Sequence, residues 1–404
     1  MSPLVPHGLR CAGVTGTNGK TTTTTLLAAA LARAHAPVAR ATTLGTSLVH
    51  GDGRDEPLEV AHTLDGFYAA LHACAQRGGA FAAVETTSEA LAEGFAQRVP
   101  CEVAVFTNLT RDHLDAHGTA EHYLASKAQL FVALPPGGVA VLNGRDRAAT
   151  LLAEIVPAHA RVVRYGVTTR GDAIEPLDAD GGVPVIDASG TRVEVRLAGS
   201  TVTVSTRAIG AHFAENAVAA WLAAEALGVP RDAALAAIAA AAPPPGRFEV
   251  VARAPCVVVD YAHTPDALAR TLETARALAG RGKLTVVFGA GGERDRGKRP
   301  AMGAAASAAD QVVLTSDNPR GESSRAIAEA IRAGITPGAS VIVELDRRRA
   351  IERAIAESGV DDVVVLAGKG HERTQHVGEK IRPFDDAAVA REAIARRARR
   401  LGPS

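Results

Sequence analysis

Residues 13–25 read GVTGTNGKTTTTT and hold the densest chemistry in the chain. Gly16 and Gly19 let backbone amides close on a phosphate, and Lys20 can reach its terminal oxygens. The Thr21 hydroxyl is a hard oxygen donor suited to magnesium. Thr17 and Asn18 complete the loop, and Thr22 follows in a helix start, where free N–H groups favour negative charge. The general phosphate-loop pattern asks for glycine at residue 14, but valine stands there between Gly13 and Gly16. The competing reading is a glycine- and threonine-rich turn without a ligand. A Gly-Lys-Thr at a strand–helix junction argues against it.

Such a loop needs a strand to enter it and a helix to leave it. LRCAGVTG supplies the first and KTTTTTLLAAALARAHA the second. The apolar runs AFAAVETT, EVAVFTNL and GVAVLNG end in polar residues, and alanine-rich helical runs separate them. This alternation predicts an α/β fold with a mostly parallel sheet, whose working residues lie beyond the carboxyl ends of the strands. Residues 165–206 carry alternating patterns such as TRVEVRL and are read as antiparallel strands decorating that sheet. PPPGRF at 243–248 stops a helix and stiffens a linker. After it the rhythm restarts with CVVVDYAHT, KLTVVFGAGGERDRG, QVVLTSDNPR, SVIVELD and DVVVLAGKGHE, a second, Rossmann-like doubly wound domain. The expected organisation is a short extension over 1–9, a central phosphate-loop domain over 10–243 and a C-terminal domain over 244–404.

The 404 residues are 47% hydrophobic and 22% charged, with zero formal net charge. A balanced charge gives no electrostatic footprint for nucleic acid or a membrane surface. The longest apolar stretches are too short to span a bilayer, and the N-terminus lacks the pattern of a signal peptide. The four cysteines form no CxxC pair and read as reduced thiols of a cytoplasmic protein.

The loop form TGTNGKTT resembles that of the Mur ligase family, the ATP-dependent enzymes that add amino acids to peptidoglycan precursors. AVFTNLTRDHLDAHGTAEHYLASKAQLF (104–131), DYAHTPDAL (260–268), GERDRGKRP (292–300), DNPR (317–320) and GKGHE (368–372) follow in the family's order and resemble its MurE type. The resemblance implies ATP, magnesium at two sites, an acyl phosphate on an acceptor carboxylate, and attack by an amino acid's amine to give an amide. It implies that Glu85 and His113 bind magnesium, with Asn108, Asp112 and Asp115 orienting the histidine. Lys127 matches a carbamylated lysine, although spacing alone suggests an exposed helical lysine. Asn216, Arg247, Asp260 and His263 are implied at the nucleotide, with Tyr261 and Asp266 beside them. Arg294, Asp317, Asn318, Arg320, Gly368 and Glu372 are implied at the amino acid, which the DNPR form makes diaminopimelate-like. Arg320 suits a carboxylate, and Asp317 and Asn318 an ammonium. Thr63 and Ser88 fall on the acceptor side.

The pattern also breaks. Ala214 replaces an asparagine beside the adenine position, and in ETTSEALAEGF Glu89 and Phe95 stand where the MurE type has histidine and arginine. The nine residues before the central domain are too few for the UDP-binding domain with which MurE enzymes begin. The expectation is therefore a ligase acting on small molecules, as a monomer or small homo-oligomer, with an acceptor other than UDP-muramyl dipeptide. True MurE activity, polymer extension as in cyanophycin synthetase, and a silent ATP-binding protein are the alternatives.

Overall fold

Valine- and alanine-rich runs too hydrophobic for a half-exposed sheet are buried on both faces, as parallel strands are. The computed structural model describes residues 5–61, 63–110, 119–169 and 171–401. The chain divides into two compact units, one through Pro244 and one from Pro245. The first contains β1 (Arg10–Thr15), β2 (Val38–Thr42), β3 (Gly45–Val49), β4 (Asp55–Leu58), β5 (Phe81–Glu85), β6 (Val103–Phe106), β7 (Val139–Asn143), β8 (Arg161–Val167), β9 (Ala179–Gly181), β10 (Val185–Asp187), β11 (Gly190–Leu197) and β12 (Ser200–Thr206). They form one sheet in the order β10-β11-β9-β8-β7-β6-β1-β5-β2-β3-β4, with β12 on β11. From β2 through β9 every pairing is parallel.

Two details differ from the sequence reading. The segment from residue 165 is not purely antiparallel: β8 and β9 extend the parallel sheet, and only β10, β11 and β12 turn back. At the other edge, β3 and β4 form an antiparallel meander that the sequence pattern does not announce, because GTSLV and DEPL are short and mostly polar.

Alternation along the strands splits the core into two layers. Ala12, Val14, Val103 and Val105 face the Lys20–Ala34 and Ala211–Ala226 helices, whereas Cys11, Ala104 and Phe106 face the opposite side. Small side chains let these helices sit close to the sheet, so even Thr21–Thr25 are buried. Val14 is a fully buried strand residue. That explains why valine, and not glycine, precedes the loop.

The second unit holds β13 (Glu249–Arg253), β14 (Cys256–Asp260), β15 (Leu284–Phe288), β16 (Gln311–Leu314), β17 (Ser340–Val343) and β18 (Val363–Ala367), ordered β13-β14-β18-β15-β16-β17. All pairings are parallel except β13 with β14. A hairpin of β19 (Thr374–Val377) and β20 (Lys380–Pro383) stands apart from this sheet. Arg347 staples the carboxyl ends of two strands. Its Nη2 donates to Ala367 O (2.9 Å) at the end of β18, and its Nη1 to Ser316 O (3.4 Å) beyond β16. Asp386 accepts from its Nε and Nη2 at 2.8 and 2.6 Å, and both side chains are fully buried. Burial alone would lower the Arg347 pKa, but the Asp386 charge and its hydrogen bonds hold it above the ordinary value.

Removing the carboxylate strands a buried cation. Asp386→Ala is expected to cost the second unit about 3–5 kcal/mol of stability. Urea denaturation checks this, and an unchanged midpoint would show that the pair is not structural.

Candidate active site

The register of β1 with its neighbours gathers three strand ends. Val14 pairs with Glu85 of β5, and Thr15 pairs with Phe106 of β6, so both strands finish beside the start of the loop. Gly16 has φ 146°, and a Cβ there would lie 1.9 Å from Thr107 Oγ1. Only glycine allows this approach. Thr17 N donates to Asn108 O (2.8 Å), Asn18 N to Asn108 Oδ1 (3.0 Å), and Asn108 Nδ2 back to Asn18 O (2.9 Å). Thr107 Oγ1 adds a bond to Asn18 O at 2.7 Å. Asn108, expected to orient His113, here holds the loop itself. Gly19 is the left-handed residue before the helix, and Asn216 packs on it so closely that a Cβ there would lie 2.4 Å from its Oδ1.

Two ammonium groups converge on one carbonyl. Lys20 Nζ donates to Gly16 O (3.1 Å) and Thr17 O (2.9 Å), and Lys127 Nζ donates to the same Gly16 O at 2.9 Å. The idea that Lys127 is an exposed helical lysine is corrected: the residue is only 1% exposed, with its Nζ 4.3 Å from the centre of the Tyr123 ring. Lys20 at the start of a helix fits the charge of a nucleotide's phosphates.

Glu85 Oε2 accepts from Thr21 Oγ1 (2.9 Å), Thr43 N (3.2 Å) and Thr43 Oγ1 (3.4 Å). A carboxylate and a hydroxyl this close are the hard oxygen donors that magnesium takes, with phosphate and water completing its shell. No cluster of three histidine, cysteine or acidic residues that could hold a metal occurs among the described residues. A magnesium ion shared with phosphate does not need one. His113, Asp112 and Asp115 lie outside the described residues.

Glu85 also lines a cavity of about 370 Å³ with Thr42, Thr43, Thr63, Phe67, Phe95 and Arg98 among its walls. This is within the size range of small-molecule pockets. The rings of Phe67 and Phe95 pack at 5.5 Å between centroids. Arg98 is the one cation among the described residues of the lining. Thr63 caps the Leu64–Gln76 helix by accepting from Gly66 N (3.2 Å), and Ser88 is buried, bonded to Glu89 Oε2 (3.2 Å).

In the second unit Arg247 lies over the Tyr261 ring at 4.5 Å, and Tyr261 meets His263 and His371 at 4.6 and 5.1 Å. Asp260 is buried and accepts from Phe248 N (2.7 Å), Ala262 N (2.8 Å) and Thr271 Oγ1 (3.1 Å), with burial raising its pKa. Beyond β16 and β18, a Cβ on Gly368 would meet Asp317 Oδ2 at 2.6 Å, and one on Gly291 would lie 3.2 Å from Arg320 Nη1 and 3.5 Å from Arg294 Cγ. Arg320 Nη1 donates to Gly292 O (2.8 Å). Asn318 is engaged with its neighbours. Its Oδ1 already accepts from Lys369 Nζ (3.2 Å) and His376 N (3.0 Å), and its Nδ2 donates to Glu372 Oε2 (2.8 Å). With its oxygen occupied, the amide has one N–H left to offer beyond the bond to Glu372.

A phosphate loop whose threonine shares a carboxylate with an adjoining pocket, followed by a second doubly wound unit, is the outline of an ATP-dependent carbon–nitrogen ligase. Residues 14–224 match the Mur ligase middle domain and residues 246–370 the Mur ligase glutamate ligase domain. The chain belongs to the Mur ligase family. It is 42% identical over 395 residues, 95% of its own length and 76% of the relative's, to the UDP-N-acetylmuramoyl-L-alanyl-D-glutamate–2,6-diaminopimelate ligase of Thermosynechococcus vestitus. A solved structure of a ligase of that name shares 35% identity and a TM-score of 0.65, covering 96% of this chain and 78% of that one. The folylpolyglutamate synthase of Mycobacterium tuberculosis, solved with ADP and AMPPCP, shares 25% identity and a TM-score of 0.70 over 91% of this chain and 89% of its own. No helix among the described residues is long and apolar enough to cross a membrane.

Several residues escape sequence reasoning. Thr43 sits in a turn with no motif, yet it bonds Glu85. Lys369 stands inside GKGHE, where only its neighbours draw attention. Arg299, in GERDRGKRP, grips Glu322 with bonds of 3.1 and 3.0 Å and Gly291 O at 3.2 Å, steadying the loop that carries Arg294. The Arg299 hydrogen bond holds the Glu322 pKa down at about 2. Its folded value is depressed, so its stabilisation is present above the ordinary carboxylate pKa of about 4.5 and is lost as pH falls toward about 2. Glu322→Gln is expected to flatten the acid limb of a stability–pH curve in that window, and an unaltered limb would refute the assignment. For the loop, Gly16→Ala is expected to weaken ADP binding more than about tenfold by calorimetry, because the new Cβ must push Thr107 away. Retained affinity would show that the loop is not the nucleotide site.

Proposed function

We propose that the protein uses ATP to phosphorylate an acceptor carboxylate lying in the cavity beside Glu85, then joins that acyl group to the amine of a diaminopimelate-like amino acid. The carboxylate oxygen attacks the γ-phosphorus and ADP leaves. The amine then attacks the acyl carbon, phosphate leaves, and the ammonium's spare protons pass to solvent. The observation that carries this reading is that Glu85 touches both Thr21 of the loop and the cavity, so phosphate and acceptor meet at one carboxylate.

In this reading the loop residues Gly16 to Thr22, with Lys20 foremost, hold the phosphates, while Asn216, Arg247, Asp260 and His263 serve the nucleotide. Thr21, Glu85, His113 and Lys127 serve magnesium at two sites, where the bound ion supplies charge neutralisation of the transferring phosphoryl group. Lys127 would do so as a carbamate, because a bare ammonium repels the ion. Thr63 and Ser88 fall to the acceptor, and Arg294, Asp317, Asn318, Arg320, Gly368 and Glu372 to the amino acid. ATP use and free thiols suit the cytoplasm.

The cavity supports a reading of the acceptor. Phe67 and Phe95 line it, and Arg98 lies one helical turn after Phe95 at its edge. We therefore assign an acceptor with an apolar group beside the reacting carboxylate, other than UDP-muramyl dipeptide. The second reading is the acceptor printed in the relatives' name, favoured by 42% identity across 95% of the chain. Phosphate release with meso-diaminopimelate and a panel of acceptors separates the two. Faster turnover of N-acyl amino acids with apolar side chains supports the first, and preference for UDP-muramyl dipeptide establishes the second. Phe95→Arg is expected to shift preference toward anionic acceptors by about tenfold in kcat/KM.

Lys127→Ala is expected to lose most activity and to regain part of it with added short-chain carboxylates. A fully active variant would rule out the carbamate.

A further inference from the structure

We propose that Lys369 is a positioning residue that sets the polarity of the amino-acid pocket, presenting Glu372 as its acceptor and Asn318 as its donor. The inference rests on reading residues 317–320 and 368–372 as the amino-acid site.

Lys369 follows β18 and is fully buried. An ammonium has three protons and no lone pair. Here they go to Asn318 Oδ1 (3.2 Å), Glu372 Oε2 (3.0 Å) and Thr374 O (2.7 Å). No proton remains for a ligand, so Lys369 acts through its neighbours. It ties together three segments that are distant in sequence: the loop after β16, the turn after β18 and the start of the β19–β20 hairpin.

The consequence for Asn318 is chemical. Lys369 Nζ and His376 N are donors only, so the group between them must be the amide oxygen. The amide nitrogen then faces Glu372 Oε2 at 2.8 Å and keeps one proton for a ligand. Glu372 has committed Oε2 twice and keeps Oε1, and its side chain is 32% exposed. Arg320 is aligned by the same hairpin: its N donates to His376 O (3.1 Å), and its O accepts from Gly378 N (2.7 Å). That pairing holds Arg320 at φ 50°, a conformation a non-glycine residue rarely takes unaided. Asn318 and Arg320 thus supply donors and Glu372 an acceptor, which is the set that a head group carrying both a carboxylate and an ammonium requires. Without Lys369 the amide oxygen keeps only His376 N to hold it, and the Glu372 charge loses its buried partner.

The test compares the full-length wild type with Lys369→Met, Lys369→Arg and the double variant Lys369→Met/Glu372→Gln, which leaves no stranded charge if the single variant fails to fold. Calorimetry with ADP and magnesium present measures affinity for meso-diaminopimelate and for L-lysine, which lacks the second carboxylate. Lys369→Met, or the double variant in its place, is expected to weaken meso-diaminopimelate by more than about tenfold and to shrink its preference over L-lysine, with ADP affinity unchanged. Lys369→Arg is expected to regain part of that preference. Unaltered preference in the Lys369→Met and double variants overturns the proposal alone. A wild type that binds neither amino acid overturns the reading of the site, and the proposal falls with it.

Discussion

A hydrogen bond of 2.9 Å between the Thr21 hydroxyl and Glu85 joins the phosphate loop to the neighbouring cavity, and the chemistry proposed for the first unit depends on it. The bond is possible because β1 and β5 are adjacent parallel strands in a register that ends both at the same level. A shift of one residue would carry Glu85 to the other face of the sheet. The two-sided core favours this register, with Val14, Val103 and Val105 buried on one face and Cys11, Ala104 and Phe106 on the other.

The loop illustrates how glycine and polar side chains divide one task. Gly16 supplies the space and the backbone angle, while Thr107 and Asn108 supply the bonds that keep the loop open for an anion. Lys20 and Lys127 then aim at the same carbonyl. Two ammonium groups beside one carbonyl repel each other, which favours the carbamate form proposed for Lys127.

The second unit follows another plan. The buried cations Arg347 and Lys369 pair with Asp386 and Glu372, and each pair fixes the end of a strand or a turn. Such pairs contribute little net stability, but they tolerate few alternative geometries. That suits the amino-acid site proposed there, which would have to tell a carboxylate from an ammonium. The cavity of the first unit, lined by Phe67 and Phe95, offers instead shape and apolar contact to the acceptor proposed for it.

Much of this was legible in the sequence. Local composition dictates the alternating strands and helices, since hydrophobic periodicity and glycine placement are properties of neighbouring residues. The motif stretches named the family and the order of its parts. Tertiary structure decided the rest, because it turns on residues distant along the chain. The burial of Lys127 comes from its packing on Gly16, 111 positions away. Thr43 reaches Glu85 only because β2 lies beside β5. The remaining N–H of Asn318 follows from Lys369, 51 positions later. A spacing rule reads neighbours along one element, whereas the direction of a hydrogen bond depends on which groups the fold brings face to face.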